Sequence, residues 1–352
     1  MTRDTFLEDL MRQLGSLPAE DAGRIREYYE ELICDGMEQG RSEESIVNGF
    51  DPVDQIAQRI KEDYGQLVRY EQRRAEEEEQ KSKQGKEEPQ YNSDVAVHTI
   101  RVKADCISIV ARPSHSDQAR VLFQPRQGID KVECFEKDGV FTFRHSMNTW
   151  FSWGIRGNHN SEPIIVEIPE NFDGHLFLTD NCSSIHLGGF EHLKSANVET
   201  NNSRIEARKL NCEDLTLKTS NSRIEACDII GRTLNISTTN GRLELENLSG
   251  LSLEAFTSNG RVSATNCRMV EKMRIKSTNG KIEVHKIEAK NIELHTSNNA
   301  VRGTICGEMQ DYAISSQTSN SKNNLPNYST PAQDKTLSVK TSNGRIDIDF
   351  EK

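Results

Sequence analysis

The chain has 352 residues, room for two or three domains at roughly 100–200 residues each. With 34% hydrophobic and 28% charged residues it is polar yet foldable, which excludes a collagen-like or wholly disordered chain. A net charge of −11 argues against direct nucleic-acid binding.

Residues 1–70 hold 8 Lys/Arg and 16 Asp/Glu, a net of −8, so the other 282 residues share only −3. Phe6, Leu7, Leu10, Met11 and Leu14 recur at helical spacing. A second helix is expected from Leu17-Pro18, with Ser16 as cap and an apolar stripe of Ile25, Tyr28, Tyr29, Leu32 and Ile33. Ser42-Glu43-Glu44-Ser45 reads as another helix start, and Asp51-Pro52 opens a last helix with Val53, Ile56, Ala57 and Ile60 on one side. Together these predict a small acidic helical bundle over 1–70. Its N-terminal stretch carries acids and is not read as a secretory signal, and no apolar run reaches the roughly 18 residues of a membrane span. The expected location is the cytoplasm, at most peripheral at a membrane.

Leu17-Pro18, Tyr28-Tyr29-Glu30-Glu31, Asp35, Gly40, Ser42-Glu43-Glu44, Gly49-Phe50-Asp51-Pro52 and Ile56-Ala57 follow one another in an order that resembles the HAAS domain, the helical signalling domain associated with PadR-type regulators. The resemblance implies a non-catalytic protein contact through residues 1–70, with a PadR-like regulator or a membrane protein as partner. Residues 71–93 have no apolar stripe and read as a charged linker.

From residue 94 the character changes. A Thr-x-Asn-Gly/Ser-Arg/Lys-Ile motif recurs with its asparagines at Asn202, Asn221, Asn240, Asn259, Asn279 and Asn298, at spacings of 19, 19, 19, 20 and 19. Looser copies stand at Asn320 and Asn343, and a degenerate one at Asn181. Apolar residues recur six and four before the asparagine and three and eight after it; Cys267 and Cys306 fall in the last slot, which predicts them in the core. Period-two alternation on both sides of a turn means strand, turn, strand. Each repeat then reads as one coil of a β-solenoid, about eight coils stacking to a rod roughly 40 Å long. A meander of Asn-Gly hairpins has the same parity, and the near-constant spacing favours the solenoid. The predicted fold is α plus all-β: helical bundle, linker, and a single β-solenoid over 94–352. Val97–Val102, Ile164–Pro169 and the TSNGR-type repeats resemble the bacterial "putative adhesin" family of unknown function, which implies a β-helix-like fold and a link to the cell envelope of Gram-positive bacteria.

Candidate sites follow from the columns. Arg204, Arg223, Arg242, Arg261 and Lys281 form a cationic column that suits an envelope polymer or a lipid headgroup layer; Glu206, Glu225, Glu244 and Glu283 stand beside it and neutralise it. The ladder of Asn202, Asn221, Asn240, Asn259, Asn279, Asn298 and Asn343 is read as turn structure, with Asn-Gly supplying a positive φ. Trp150, Phe151 and Trp153 sit in one loop, either a cap on the rod's end or an exposed contact tip. The cysteines (Cys34, Cys106, Cys134, Cys182, Cys212, Cys227, Cys267, Cys306) lack a CxxC pair, so neither a zinc cluster nor a disulfide framework is expected. No cofactor or metal is expected, and no hydrolase or nucleotide-binding motif is present. The functional reading is a non-enzymatic scaffold. The alternatives are a self-assembling solenoid polymer and a carbohydrate-active enzyme using Glu225 or Glu244.

Overall fold

A computed structural model describes residues 2–61 (except 16, 18–21, 24, 27–28, 31–32, 34–36, 38–41 and 59), 90–93, 97–147, 162–331 and 333–351. The chain divides into two compact units, 1–86 and 87–352.

In the first unit, helix α1 (Arg3–Gln13) starts at Thr2, whose hydroxyl accepts from the Thr5 amide. Helix α2 (Glu43–Val47) starts at Ser42, which accepts from the Ser45 amide at 3.3 Å. These bonds satisfy amides that a helix leaves open at its N-terminus. Residues 53–58 are helical as well. Phe6, Leu7, Leu10, Leu14, Ile33, Ile46, Val47, Ile56 and Ala57 are buried together, and the Phe6, Tyr29 and Phe50 rings meet at 5.2–5.5 Å. The Ser16 cap, Tyr28 and Leu32 lie outside the described residues.

The second unit is a β-solenoid of about eight turns. One column of strands runs, from end to end, through Val140–Met147, Thr99–Lys103, His175–Asp180 and Leu193–Thr200. It continues with the second halves of Ile205–Lys218, Ile224–Ser237 and Leu243–Thr257, then Arg268–Ser277, Asn291–His295, Lys335–Lys340 and Tyr312–Gln317. The other column runs through Ile164–Pro169, Ile109–Ser114 and Ile185–Gly188, the first halves of the three long strands, Val262–Thr265, Ile282–Ile287, Val301–Cys306 and Ile346–Glu351. All these pairings are parallel, so the repeats are coils and not a meander of hairpins. Register fixes the core: Leu215, Leu234, Leu253, Met273, Ile292 and Leu337 stack in one buried row, and Ile205, Ile224, Leu243, Val262, Ile282, Val301 and Ile346 in another.

Chain order and stacking order differ at both ends. Thr99–Ser114 lies inside the outermost turn, whose described strands are Val140–Met147 and Ile164–Pro169. Lys335–Glu351 stacks directly on residues 291–306, and Tyr312–Gln317 lies outside it. The Asn343 repeat therefore precedes the Asn320 repeat in space. Antiparallel strands then cover the first end: Asp130–Lys137 on Val140–Met147, and Gln90–Asn92 on Arg120–Leu122, itself on Ile164–Pro169. At the other end Ile314 and Tyr328 exchange both backbone hydrogen bonds, at 2.6 and 3.0 Å. A strand whose edge is taken in this way is a poor template for another chain.

The repeat has two corners. At the first, the Asn221, Asn240, Asn259, Asn279, Asn298, Asn343 and Asn320 amides each donate to the preceding asparagine of the stack at 2.6–2.8 Å, beginning from Asn202. Inside the corner, Thr257 donates to the Gly241 carbonyl at 2.9 Å and accepts from the Gly260 amide at 3.2 Å. Thr238, Ser277 and Thr341 accept from a glycine amide in the same way. The positive φ expected at Asn-Gly is not there: in the coils of the ladder the left-handed side-chain-bearing residues are Lys209, Asp228, Asn247, Asn266 and Lys286, seven after the asparagine, at the second corner. Glycine at the first corner answers close approach instead. A Cβ on Gly260 would stand 1.9 Å from the Gly241 carbonyl oxygen of the next coil.

Two cysteine expectations are corrected. Cys106 and Cys182 form a disulfide. Pairing of Ile185 with Ile205 puts Cys182, not Asn181, opposite Asn202, so the two cysteines occupy the asparagine slot in adjoining turns. Asn181 stacks under Asn201 at 3.5 Å. Cys306 is half-buried, because a register shift places Ile305 opposite Ile287 and gives it the core slot. Cys267 and Cys212 are buried, and burial pushes the Cys267 thiol up to about 11.

Candidate binding surface

The cationic column stands on the outward face of the second strand column, and nearly every cation in it meets a carboxylate. Arg223 meets Glu225 at 2.8 Å, Arg242 meets Glu244 at 2.9 Å, and Lys281 and Arg261 meet Glu283 at 2.5 and 3.1 Å. Arg204 lies 4.0 Å from Glu206, which also takes Arg208 at 2.5 Å. Against the desolvation that would raise it, the Lys281 hydrogen bond and the nearby Arg261 charge hold the Glu283 carboxyl below its usual range. The result is a stripe of alternating sign. Surface pairs of this kind contribute about 0–1 kcal/mol each, so their main effect is to remove a uniform field.

A second charged stripe on the opposite strand column escaped the sequence reading. Arg274 grips Glu293 with two bonds, at 2.7 and 3.1 Å, while Lys272 and Arg274 reach Glu254 at 3.0 and 3.6 Å. The signal was five residues before the asparagine, where Glu254, Arg274 and Glu293 succeed one another.

Two clusters break the repeat. At the first end, Arg126 holds Asp130 through Nε and Nη2 at 2.8–2.9 Å and through its amide at 2.7 Å, and His145 reaches the same carboxylate at 3.0 Å. The Asp130 and His145 side chains are fully buried. Burial would raise the Asp130 carboxyl, but the bonds from Arg126 and His145 hold it far below the usual range. On the outer face, Ser184, His186 and Glu206 lie in sequence within hydrogen-bond reach. In the coils that follow, the Ser184 and His186 positions carry Arg204 or Arg223 and Glu206 or Glu225.

Trp150, Phe151 and Trp153 lie outside the described residues. Tyr91, Phe123 and Phe143 pack edge to face at the first end, with centroids 5.2 and 6.3 Å apart. Among the described residues no group of three or more His, Cys, Asp or Glu could hold a metal ion, and no helix is long and apolar enough to cross a membrane.

The geometry defines a solenoid protein with a separate helical unit. The chain belongs to the Toastrack DUF4097 family, whose model matches residues 97–349, and residues 5–59 match HAAS. No curated protein matches the chain. Among solved structures, a putative cell adhesion protein from Clostridium sporogenes ATCC 15579 aligns over 74% of this chain and 99% of its own, at 8% identity and a TM-score of 0.19.

Proposed function

We propose that the chain is a non-enzymatic signalling scaffold linked to the cell envelope. Its HAAS unit contacts a regulator or membrane protein, and its solenoid offers a long, stiff recognition surface. The observation that carries this is the pairing of a HAAS match with a rod whose charged columns repeat coil after coil. Repetition supplies area for a partner, and a stack of coils keeps that area rigid. Asp4, Glu8, Glu44 and Asp54 are exposed on the helical unit and give it negative charge for a basic partner surface.

The test is affinity capture with the full chain and with a Glu8→Lys/Glu44→Lys/Asp54→Lys variant. Recovery of a PadR-type regulator or a membrane protein by the native chain, lost with the variant, supports the reading. Equal recovery by both removes the helical contact from it.

A further inference from the structure

One turn of the solenoid carries a chemical arrangement that its neighbours lack. Ser184 Oγ lies 3.2 Å from His186 Nε2, and His186 Nδ1 lies 3.2 Å from Glu206 Oε2. Ser184 and His186 are two apart on one strand edge, so their side chains share a face. Parallel register sets Glu206 directly opposite His186. Ser108, on the adjoining turn, lies 3.1 Å from Ser184 through the two hydroxyl oxygens.

The direction of these bonds follows from the acid. The Glu206 carboxyl is held down at about 2, first by its His186 hydrogen bond and against desolvation, with the charge of His186 when it is protonated and the nearby Arg208 and Arg204 charges adding to this. A carboxylate can only accept, so Nδ1 carries the imidazole proton. In the neutral ring Nε2 is then the acceptor, and the Ser184 hydroxyl donates to it. That order of nucleophile, base and orienting acid activates a hydroxyl in acyl transfer. His186 and Glu206 side chains keep 31% and 21% of their surface, so the group is reachable from solvent while its geometry is fixed by the sheet.

We propose that Ser184 is a nucleophile that takes an acyl group from small activated esters, with His186 as base and Glu206 as its positioning residue. Ser184 Oγ bonds to the acyl carbon and the carbon–oxygen bond to the leaving group breaks. The serine proton passes to His186 Nε2 and then to the departing oxygen. Water later attacks the same carbon, gives its proton through His186 and releases Ser184. The Ile185 amide is committed to the Arg204 carbonyl at 3.0 Å, so the next backbone donor along the strand is not offered to an oxyanion. Parallel register sets Arg204 of the adjacent turn opposite Ser184. Both steps lack that backbone donor, but an activated ester loses a good leaving group whereas the acyl-serine is an ordinary alkyl ester, so the second step is the slower and the acylated serine accumulates. This goes beyond the scaffold reading and departs from its non-enzymatic part at this one turn; the scaffold's contacts do not depend on it.

The test uses the full chain and p-nitrophenyl acetate, with release of nitrophenolate followed by stopped flow and the acetyl group located by peptide mapping. Expected is a burst approaching one equivalent, with acetyl on Ser184. Ser184→Ala abolishes the burst, and His186→Gln slows it by about a hundredfold, in the range that a positioned base supplies. Free imidazole restores labelling of Ser184 in His186→Ala. Acetylation of Ser184 no greater than that of Ser263, an outward serine on a later coil, overturns the proposal. So does equal labelling in the native chain and His186→Gln, whose far-UV spectra would show whether both are folded.

Discussion

The asparagine ladder has a polarity, and a single carboxylate can read it. Each amide-to-amide bond from Asn221 to Asn320 runs the same way: Asn259 Nδ2 donates to Asn240 Oδ1 at 2.7 Å, and Asn279 Nδ2 donates to Asn259 Oδ1 at 2.6 Å. Asn259→Asp leaves the second bond intact, because a carboxylate accepts. It replaces the first with two acceptor oxygens facing each other. At neutral pH the variant therefore loses one bond, about 0.5–1.5 kcal/mol, plus an oxygen–oxygen repulsion that water at this exposed corner screens. A total of about 1–2 kcal/mol is expected. The substitution raises the folded pKa of the new carboxyl, since protonation restores a donor toward Asn240. The penalty is thus present above that raised pKa and vanishes as pH falls below the unfolded value of roughly 3.9.

Asn202→Asp is the matched control. Asn202 ends the ladder and accepts from Asn221 at 2.7 Å; its place in the row needs no donation to another asparagine. This variant should differ from the native chain by less than about 0.5 kcal/mol at neutral pH. Urea unfolding at pH 7 and pH 4, followed by far-UV circular dichroism with hydrogen exchange to localise the loss, separates the two. Equal midpoints for Asn259→Asp and Asn202→Asp at pH 7, or a deficit that does not shrink on acidification, would refute a directional ladder.

Three further outcomes follow from the corners and the acid groups. Thr257 is buried with both its hydrogen-bonding roles filled, whereas the buried Thr200 hydroxyl has no partner among the described residues; Thr257→Val should cost about 1–3 kcal/mol and Thr200→Val nothing or less, measured by urea midpoint. Lys209 and Lys286 sit at φ 52° and 54°, a region side chains avoid, so Lys209→Gly or Lys286→Gly should raise stability by up to about 1 kcal/mol by thermal unfolding. Glu206 is held at about 2, so the stability it contributes is complete above its unfolded pKa of roughly 4.3 and is lost as pH falls from there toward 2. The acid limb of a pH–stability profile should be shallower in Glu206→Gln.

How far the sequence reaches depends on whether a feature repeats. The buried rows at six and four before the asparagine, and at three after, are legible because each of many coils needs the same apolar contact. The left-handed corner repeats with equal regularity, at residues 209, 228, 247, 266 and 286, yet its residues are Lys, Asp, Asn, Asn and Lys, which share no obvious chemistry. Asn247 donating to Asp228 at 2.8 Å shows that this corner begins a ladder of its own. The reordered ends were beyond reach for a different reason. Stacking order is set by which edge a returning strand finds open, and neighbouring coils offer nearly the same apolar edge, so sequence order is the only guide a repeat provides.

The candidate site obeys the opposite rule. Ser184, His186 and Glu206 are separated by a turn of the solenoid, and only the pairing of Ile185 with Ile205 makes them neighbours. Once the register is known, the anomaly is visible in the letters: where the next three coils carry Arg and Glu, this one carries Ser and His. Periodic residues report what holds the rod together. A departure that keeps the fold while exchanging a neutralising pair for a hydroxyl and an imidazole is unnecessary for stacking, and it is at such a position that a chemistry distinct from the scaffold's should be sought.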